Sequence, residues 1–386
     1  MLEFKRFLDT KSQLYTGIDR FRAFKLFEKY KQNLDFSQKQ TVFHIVGTNG
    51  KGSTGRFITQ LLEGLNFKVG HFTSPHIFSF NERFFFNGDV ASDELLENAH
   101  KELKELMKED LERLSYFEYS NFLAPFIFKD CDFIVLEAGL GGEYDSTSLF
   151  KRDISVFTSI SYDHIEILGD NLEDIARTKL KTMAKKAVIY EKQDENVLAL
   201  AKKIACLKAS ELIFSSLDTD VKKYVKFYVK EYGLPAFLEK NLSLALEALS
   251  FYFSKDELIK AMKELKALKL RARCEKIAKN IYIDVGHNEG AARAMCDFFK
   301  GKKLNLVCNF FLDKNIFSIL SILKPISAKI MLYDYESERK LASDEVFKIA
   351  KELDIACEKF TGIKDDELYL VFGSFLLVEK FLKGDF

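Results

Sequence analysis

The chain has no tryptophan and only four prolines against 38 phenylalanines, a bias of codon usage more than of function. It carries no excess of charge either, because lysine plus arginine and aspartate plus glutamate both total 58. A nucleic-acid or acidic-membrane partner therefore has no global electrostatic support. No apolar run approaches the ~18 residues of a membrane span. The start, Met1-Leu2-Glu3-Phe4-Lys5-Arg6, leads into no apolar signal core, so the expected location is the cytoplasm. No Cys-x-x-Cys occurs. The six cysteines, Cys131, Cys206, Cys274, Cys296, Cys308 and Cys357, lie scattered in apolar contexts and read as buried free thiols rather than a metal or redox centre. Internal repeats and low-complexity segments are absent.

What is present is alternation. Short runs rich in Val, Ile and Phe alternate with helical patterns, the signature of a parallel sheet covered on both faces. Four runs end in polar, catalytically able residues, where open α/β sheets bind ligands. Thr41 to Val46 leads into a glycine turn, Lys68 to Phe72 into Thr73-Ser74-Pro75-His76, Asp132 to Leu136 into Glu137-Ala138-Gly139, and Ile154 to Ile160 into Ser161-Tyr162-Asp163-His164. A second series follows the basic stretch Lys263 to Arg273: Ile281 to Val285, Leu304 to Phe310, Lys329 to Tyr333 and Leu368 to Phe372, with helices such as Glu289 to Lys300 between them. The reading is an α/β protein with an N-terminal, P-loop-type, mostly parallel sheet domain over 1–268 and a smaller Rossmann-like α/β domain over 269–386. Their ligand edges would face each other across a cleft.

The turn Gly47-Thr48-Asn49-Gly50-Lys51-Gly52-Ser53 is built to hold phosphate. Glycines let the backbone approach an anion, and the helix expected from Ser53 to Leu65 adds its N-terminal dipole. Lys51 supplies a mobile positive charge and Ser53 a hydroxyl for Mg²⁺. Gly52 separates the two, so the common Gly-x-x-x-x-Gly-Lys-Ser/Thr loop is not reproduced. The plainer alternative is a strand-to-helix turn whose glycines serve packing. Glu137, at a strand end and followed by glycines, is the best further Mg²⁺ ligand, with helix or turn capping as its alternative. His164, taken by itself, reads more readily as a hydrogen-bonded structural group than as a ligand.

In order, Gly47 to Ser53, Thr73 to Ile77, Leu136 to Gly142 and Thr158 to His164 resemble the successive motifs of the folylpolyglutamate synthase and dihydrofolate synthase family, relatives of the Mur ligases. Asn241 in Asn-x-x-x-Ala, Arg273, Ile283-Asp284-Val285-Gly286-His287-Asn288, Leu312-Asp313-Lys314 and Gly373-Ser374-Phe375 extend the likeness over roughly residues 12 to 376. The resemblance implies Ser74, Glu137 and His164 as Mg²⁺ ligands, and Lys179 as a lysine carbamylated to approach a second metal. It implies Asn241, Arg273 and Asp284 as ATP contacts supplied across the cleft. Tyr116, Phe117 and Glu118 correspond to the loop that holds a pterin ring, with core aromatic packing as the equal alternative. Asp145, His287 and Ser374 would complete the substrate contacts. A monomeric, ATP- and Mg²⁺-dependent amide ligase follows, joining L-glutamate to dihydropteroate and to reduced folates.

The chain also departs from the family pattern. Glu143 stands where arginine is usual, Ser146-Thr147-Ser148 replaces an Ala-Thr-Asn ending, and Thr178 and Lys181 replace a glutamate and a glycine around Lys179. Gly286 replaces alanine. The reversal at Glu143 bears on substrate contacts near Asp145 more than on phosphoryl transfer. Two other readings are a Mur-type amino-acid ligase and a non-catalytic nucleotide-binding regulator. The first usually has threonines after the loop lysine and an extra N-terminal domain, for which some 40 residues before Thr41 leave little room. The second has no need for Glu137, His164 and Lys179 together.

Overall fold

Val42, Phe43, Ile45 and Val46 are fully buried on both faces of one strand, as expected where helices cover a parallel sheet from both sides. The structure, a computed structural model, describes residues 1–12, 19, 21–214 and 217–384. They divide into two compact units, Met1–Gly233 with Leu238–Leu268, and Leu234–Phe237 with Lys269–Phe386.

The first unit holds eight strands: β1 (Thr41–Val46), β2 (Val69–Phe72), β3 (Phe84–Phe86), β4 (Asp89–Val90), β5 (Phe133–Glu137), β6 (Ile154–Phe157), β7 (Lys186–Ile189) and β8 (Glu211–Phe214). Their order is β4-β3-β2-β5-β1-β6-β7-β8, parallel except for the β3–β4 edge. The expected strands at 41–46, 68–72, 132–136 and 154–160 are β1, β2, β5 and β6, the last ending at Phe157. Register then decides the chemistry. Ile45 lies opposite Glu137 and Phe72 opposite Leu136, so the turn after β1, the carboxylate ending β5 and the Thr73-Ser74 turn after β2 meet at one edge. The helix Lys51–Gly64 packs on β2 and β5 and is buried from Gly52 to Leu62.

Phenylalanine fills much of this core. Phe4, Phe27, Phe72, Phe84, Phe122, Phe128 and Phe150 share one cluster on one side of the sheet, and truncating one such ring to alanine typically costs about 3–5 kcal/mol. A second cluster joins Val46 and Phe157 to Ile175, Ala176 and Leu180 of the helix Leu172–Leu180. That packing fixes the helix carrying Lys179 against the strands that carry the glycine turn.

The second unit holds β9 (Glu275–Ala278), β10 (Ile281–Asp284), β11 (Leu304–Cys308), β12 (Ser327–Leu332), β13 (Cys357–Lys359) and β14 (Tyr369–Phe372). Their order is β13-β12-β11-β14-β10-β9, parallel except for β9. Leu306, Cys308, Leu370 and Phe372 form its core with Ile319 and Ile330.

Candidate active site

Gly50 closes the turn at φ +89°, a conformation that a side chain disfavours. Its neighbours also leave no room, since a Cβ there would lie 2.5 Å from Asn241 Oδ1. A Cβ on Gly47 would fall 1.9 Å from Thr158 Oγ1. Hydrogen bonds stitch the turn to the segment after β6: Thr48 N donates to Ser159 O at 2.7 Å and Thr48 Oγ1 to Ser161 O at 3.0 Å. Ser159 Oγ donates to Asn49 O at 3.2 Å. Backbone and side-chain hydrogen bonds thus fix the turn against the segment after β6.

Lys51 Nζ curls back to donate to Gly47 O and Thr48 O, each at 3.2 Å. Ser53 is 1% exposed and its Oγ has no hydrogen-bond partner. An orphaned buried hydroxyl beside such a turn suits a metal-bound role, because leaving it unpaired costs about 1–3 kcal/mol. Glu137 is buried at the end of β5, and its Oε2 accepts the Thr73 hydroxyl and, at 3.2 Å, Ser74 N. The sequence places Thr73 in the turn after β2 but gives it no role of its own, and the structure makes it a partner of Glu137.

Lys179 is 4% exposed and donates to Gly47 O at 3.0 Å. Burial, with the Lys51 ammonium adding to it, pulls its pKa down to about 7, against the opposing pull of Asp163 and Asp145. Its helix is locked to the loop after β5. Glu143 N donates to Thr178 O at 2.9 Å, and a Cβ on Gly142 would meet Thr178 O at 2.8 Å. Two of the departures from the family pattern turn out to be partners, for Lys181 Nζ pairs with Glu143 Oε2 at 2.8 Å. His164 sits in the left-handed region at φ 49°, with ring nitrogens 3.9 Å from Asp163 Oδ1 and from Glu166 Oε1.

Asp145 is buried and accepts four hydrogen bonds inside its own loop, from Gly139 N at 3.0 Å, Leu140 N at 2.8 Å, Thr147 N at 2.9 Å and Thr147 Oγ1 at 2.5 Å. Burial raises its pKa against the pull of those bonds. Glu118 closes a capping box with Ser115 and pairs with Arg22 at 2.8 Å. Tyr116 is buried beside Phe80. Phe117 is half-buried, against the open face of Gly139.

Asn241 belongs to the same unit as the glycine turn, not to the far side of a cleft as expected. The helix Ala236–Leu249 carries it back onto the turn, where it is buried with Nδ2 lacking a partner. The remaining residues lie in the second unit. Asp284 ends β10, accepts from Cys274 N at 2.8 Å and Gly286 N at 2.7 Å, and is raised to about 6 by burial against the pull of Arg273. The Arg273 guanidinium lies 5.2 Å from the Phe375 ring centroid. Ser374 caps the helix Phe375–Lys383 and meets Tyr335 Oη at 3.2 Å. His287 Nδ1 lies 3.0 Å from Val285 O.

The donor set is oxygen-rich. Among the described residues no three His, Cys, Asp or Glu side chains gather as a metal cage. Ser53, Ser74 and Glu137 with the single nitrogen of His164 fit Mg²⁺, which keeps waters and phosphate oxygens in its shell rather than an all-protein cage. No helix among the described residues is long and apolar enough to cross a membrane.

Comparison with known proteins identifies the family. Residues 45–241 match the Mur ligase middle domain. A dihydrofolate synthase/folylpolyglutamate synthase of Buchnera aphidicola is 31% identical over 368 residues, covering 88% of this chain and 85% of the relative. The Escherichia coli protein of that name is 31% identical over 304 residues, 74% of this chain and 71% of the relative. The crystal structure of Helicobacter pylori folylpolyglutamate synthetase superposes with a TM-score of 0.80 at 42% identity, covering 98% of this chain and 97% of that one. A structure of E. coli FolC in complex with DHPP and ADP shares the fold at 24% identity, with a TM-score of 0.79 over 98% and 96% of the two chains. With a relative above 30% identity aligned along most of both lengths, the chain belongs to the dihydrofolate synthase/folylpolyglutamate synthase family, built on a Mur ligase middle domain.

Proposed function

We propose that the protein is an ATP-dependent ligase that adds L-glutamate to dihydropteroate and, in γ-linkage, to reduced folates. It acts as a cytoplasmic monomer on small molecules, with no nucleic-acid or membrane partner. The observation that carries the reading is the convergence on one carbonyl: Gly47 O accepts from both Lys51 and Lys179, while register sets Glu137 beside the same turn. A nucleotide-binding regulator needs the loop but not the buried carboxylate and second lysine.

A carboxylate and an amine do not condense in water while hydroxide is the leaving group. A substrate carboxylate oxygen attacks the γ-phosphorus, the bond to the ADP oxygen breaks, and an acyl phosphate forms. The glutamate nitrogen then attacks the acyl carbon, loses a proton, and expels phosphate to leave the amide. The protein's part is positional and electrostatic. Lys51, swung from Gly47 O and Thr48 O onto the triphosphate, meets charge on the transferring group, and the loop N–H groups cradle the phosphates. Asn241, pressed on Gly50, reaches the nucleotide, and the resemblance adds Arg273 and Asp284 as further nucleotide contacts. Ser53, Ser74, Glu137 and His164 would hold Mg²⁺, which when bound neutralises triphosphate charge. Phe117 offers a ring beside Gly139 to the pterin, with Tyr116 and Glu118 fixing the start of its helix and Asp145 shaping the loop beneath. His287 and Ser374 contact the glutamate side of the reaction.

The test is phosphate release by purified protein with ATP, Mg²⁺ and L-glutamate, with dihydropteroate or tetrahydrofolate as acceptor. Release that needs both acceptor and glutamate supports the reading, and release indifferent to both contradicts it.

A further inference from the structure

An α-helix ends on carbonyls that have no partner inside it, and Lys179 lies in the last turn of the helix Leu172–Leu180. Whatever satisfies that end therefore also sets the lysine. Thr178 O takes Glu143 N from the loop after β5, and Lys179 O takes the Thr182 hydroxyl at 2.7 Å. Lys208 Nζ donates to Lys181 O at 2.5 Å and to Met183 O at 3.2 Å. The carbonyl in between, Thr182 O, accepts from Ser155 Oγ at 3.0 Å and from Arg152 Nε at 2.9 Å. Two cations thus stand at the negative end of the helix dipole.

The Arg152 fork also reaches the other way, where Nη1 donates to Ser148 O at 2.7 Å and more loosely to Phe150 O at 3.5 Å. Among the described residues its acceptors are these carbonyls and no carboxylate. A partly buried guanidinium without an ion pair is costly, but its planar fork can bridge two fixed acceptors as an ammonium cannot. Ser148 Oγ in turn donates to Gly142 O at 2.6 Å. Gly142 lies so close to the helix that a Cβ there would come within 2.9 Å of Lys179 Cα. Arg152 therefore ties the end of the loop after β5 to the turn that closes the lysine's helix. Glu143, Ser148 and Lys181, three of the departures from the family pattern, belong to the same contact.

We propose that Arg152 is a positioning residue for Lys179: by clamping Ser148 O and Thr182 O together it holds the loop after β5 on the last turn of the helix, and so keeps the lysine amine against Gly47 O. It acts through the lysine and not on the reactants. The assignment rests on the ligase reading for the reaction that Lys179 serves.

The experiment compares Arg152→Ala and Arg152→Lys with the unaltered protein, alone and combined with Lys179→Ala, with circular dichroism as the folding check. Expected in Arg152→Ala is a fall of about tenfold or more in kcat, since misplacing a reacting group by an ångström can cost up to about 10²-fold. KM for ATP stays unchanged, and added methylguanidinium ion returns part of the rate. In the Lys179→Ala background the same change should alter kcat by no more than about twofold, because a residue acting through another loses its effect once that one is gone. A second readout needs no turnover: acetylation of Lys179 by N-hydroxysuccinimide acetate at fixed pH, followed by mass spectrometry. It should be about tenfold faster in Arg152→Ala than in the unaltered protein, the effect on local opening of losing one charged hydrogen bond, and intermediate in Arg152→Lys, which keeps the charge without the fork. An unchanged kcat, an equal loss in both backgrounds, or unchanged labelling of Lys179 overturns the proposal. If Arg152→Ala does not fold, Arg152→Lys is read in its place by the same criteria. If the unaltered protein does not ligate, the ligase reading fails, while the labelling still decides whether Arg152 positions Lys179.

Discussion

Replacing Lys179 separates a catalytic lysine from a solvated one more sharply than any other change. An amine can take up CO₂ only when neutral, its nitrogen bonding to carbon as a proton leaves. At the ordinary pKa of about 10.4 only about one lysine in a thousand is neutral at pH 7.5, whereas at about 7 most are. Burial thus raises the reactive fraction by several hundredfold, and a carbamate formed there would put an anionic oxygen near Gly47 that Mg²⁺ and Lys51 would offset. Lys179→Ala is expected to lower turnover about 10²-fold or more, the loss typical of one preorganised electrostatic group, and Lys179→Glu to recover part of it. Protein equilibrated with ¹³C-bicarbonate should show one carbamate carbonyl resonance that the alanine variant lacks. In carbonate-free buffer the same lysine makes stability depend on pH. Between about 7 and about 10.4 the unfolded chain binds the proton that the folded chain has released, so stability rises with pH across that window, by at most roughly 5 kcal/mol. Lys179→Met should lack this rise. An active alanine variant, with no carbamate signal in the unaltered protein, would refute the reasoning.

Lys51→Ala should lower turnover by roughly 10²-fold while the protein stays folded, read as steady-state phosphate release with circular dichroism as the folding check. Glu137→Gln keeps the shape and loses the charge that a hard cation prefers, so Mg²⁺ titration of activity should show loss of productive metal use; an unaltered Mg²⁺ profile would make Glu137 structural. Glu143→Arg should set two cations against each other at Lys181 and reduce activity, and Lys181→Glu added to it should restore the pair and the rate. Because both side chains are partly exposed, the melting temperature should move little, a surface pair contributing about 0.2–1 kcal/mol.

The centre of both sheets was legible because buried parallel strands read as unbroken apolar runs, and those runs end at the polar residues that compose the site. The edges were harder. Asn87-Gly88, at φ 48° and 82°, turns β3 into β4, and the Asn-Gly signal was present but its flanking strands are only three and two residues long. β9, with alternate residues exposed, lacks an apolar run. Lys179 is invisible to local reading, since nothing in Ala176-Arg177-Thr178-Lys179 distinguishes a lysine aimed at Gly47 from one facing water; only the resemblance pointed to it. Asn241 was tied to the nucleotide by the same resemblance as a contact from across the cleft, although the boundary read at 268 already left it in the unit that holds the glycine turn. Conversely, the departures at Glu143 and Lys181 looked independent in sequence and became one ion pair when the loop met the helix.

The most direct test of the account is the fate of ATP in the presence of acceptor and glutamate. Transfer of oxygen from ¹⁸O-carboxylate-labelled dihydropteroate to phosphate is the signature of an acyl phosphate, since the oxygen that attacks phosphorus departs with it. One labelled oxygen per phosphate released, with one amide formed and no release when L-glutamate is omitted, is the predicted result. Amide formation with unlabelled phosphate, or ATP cleavage that ignores glutamate, would contradict the account.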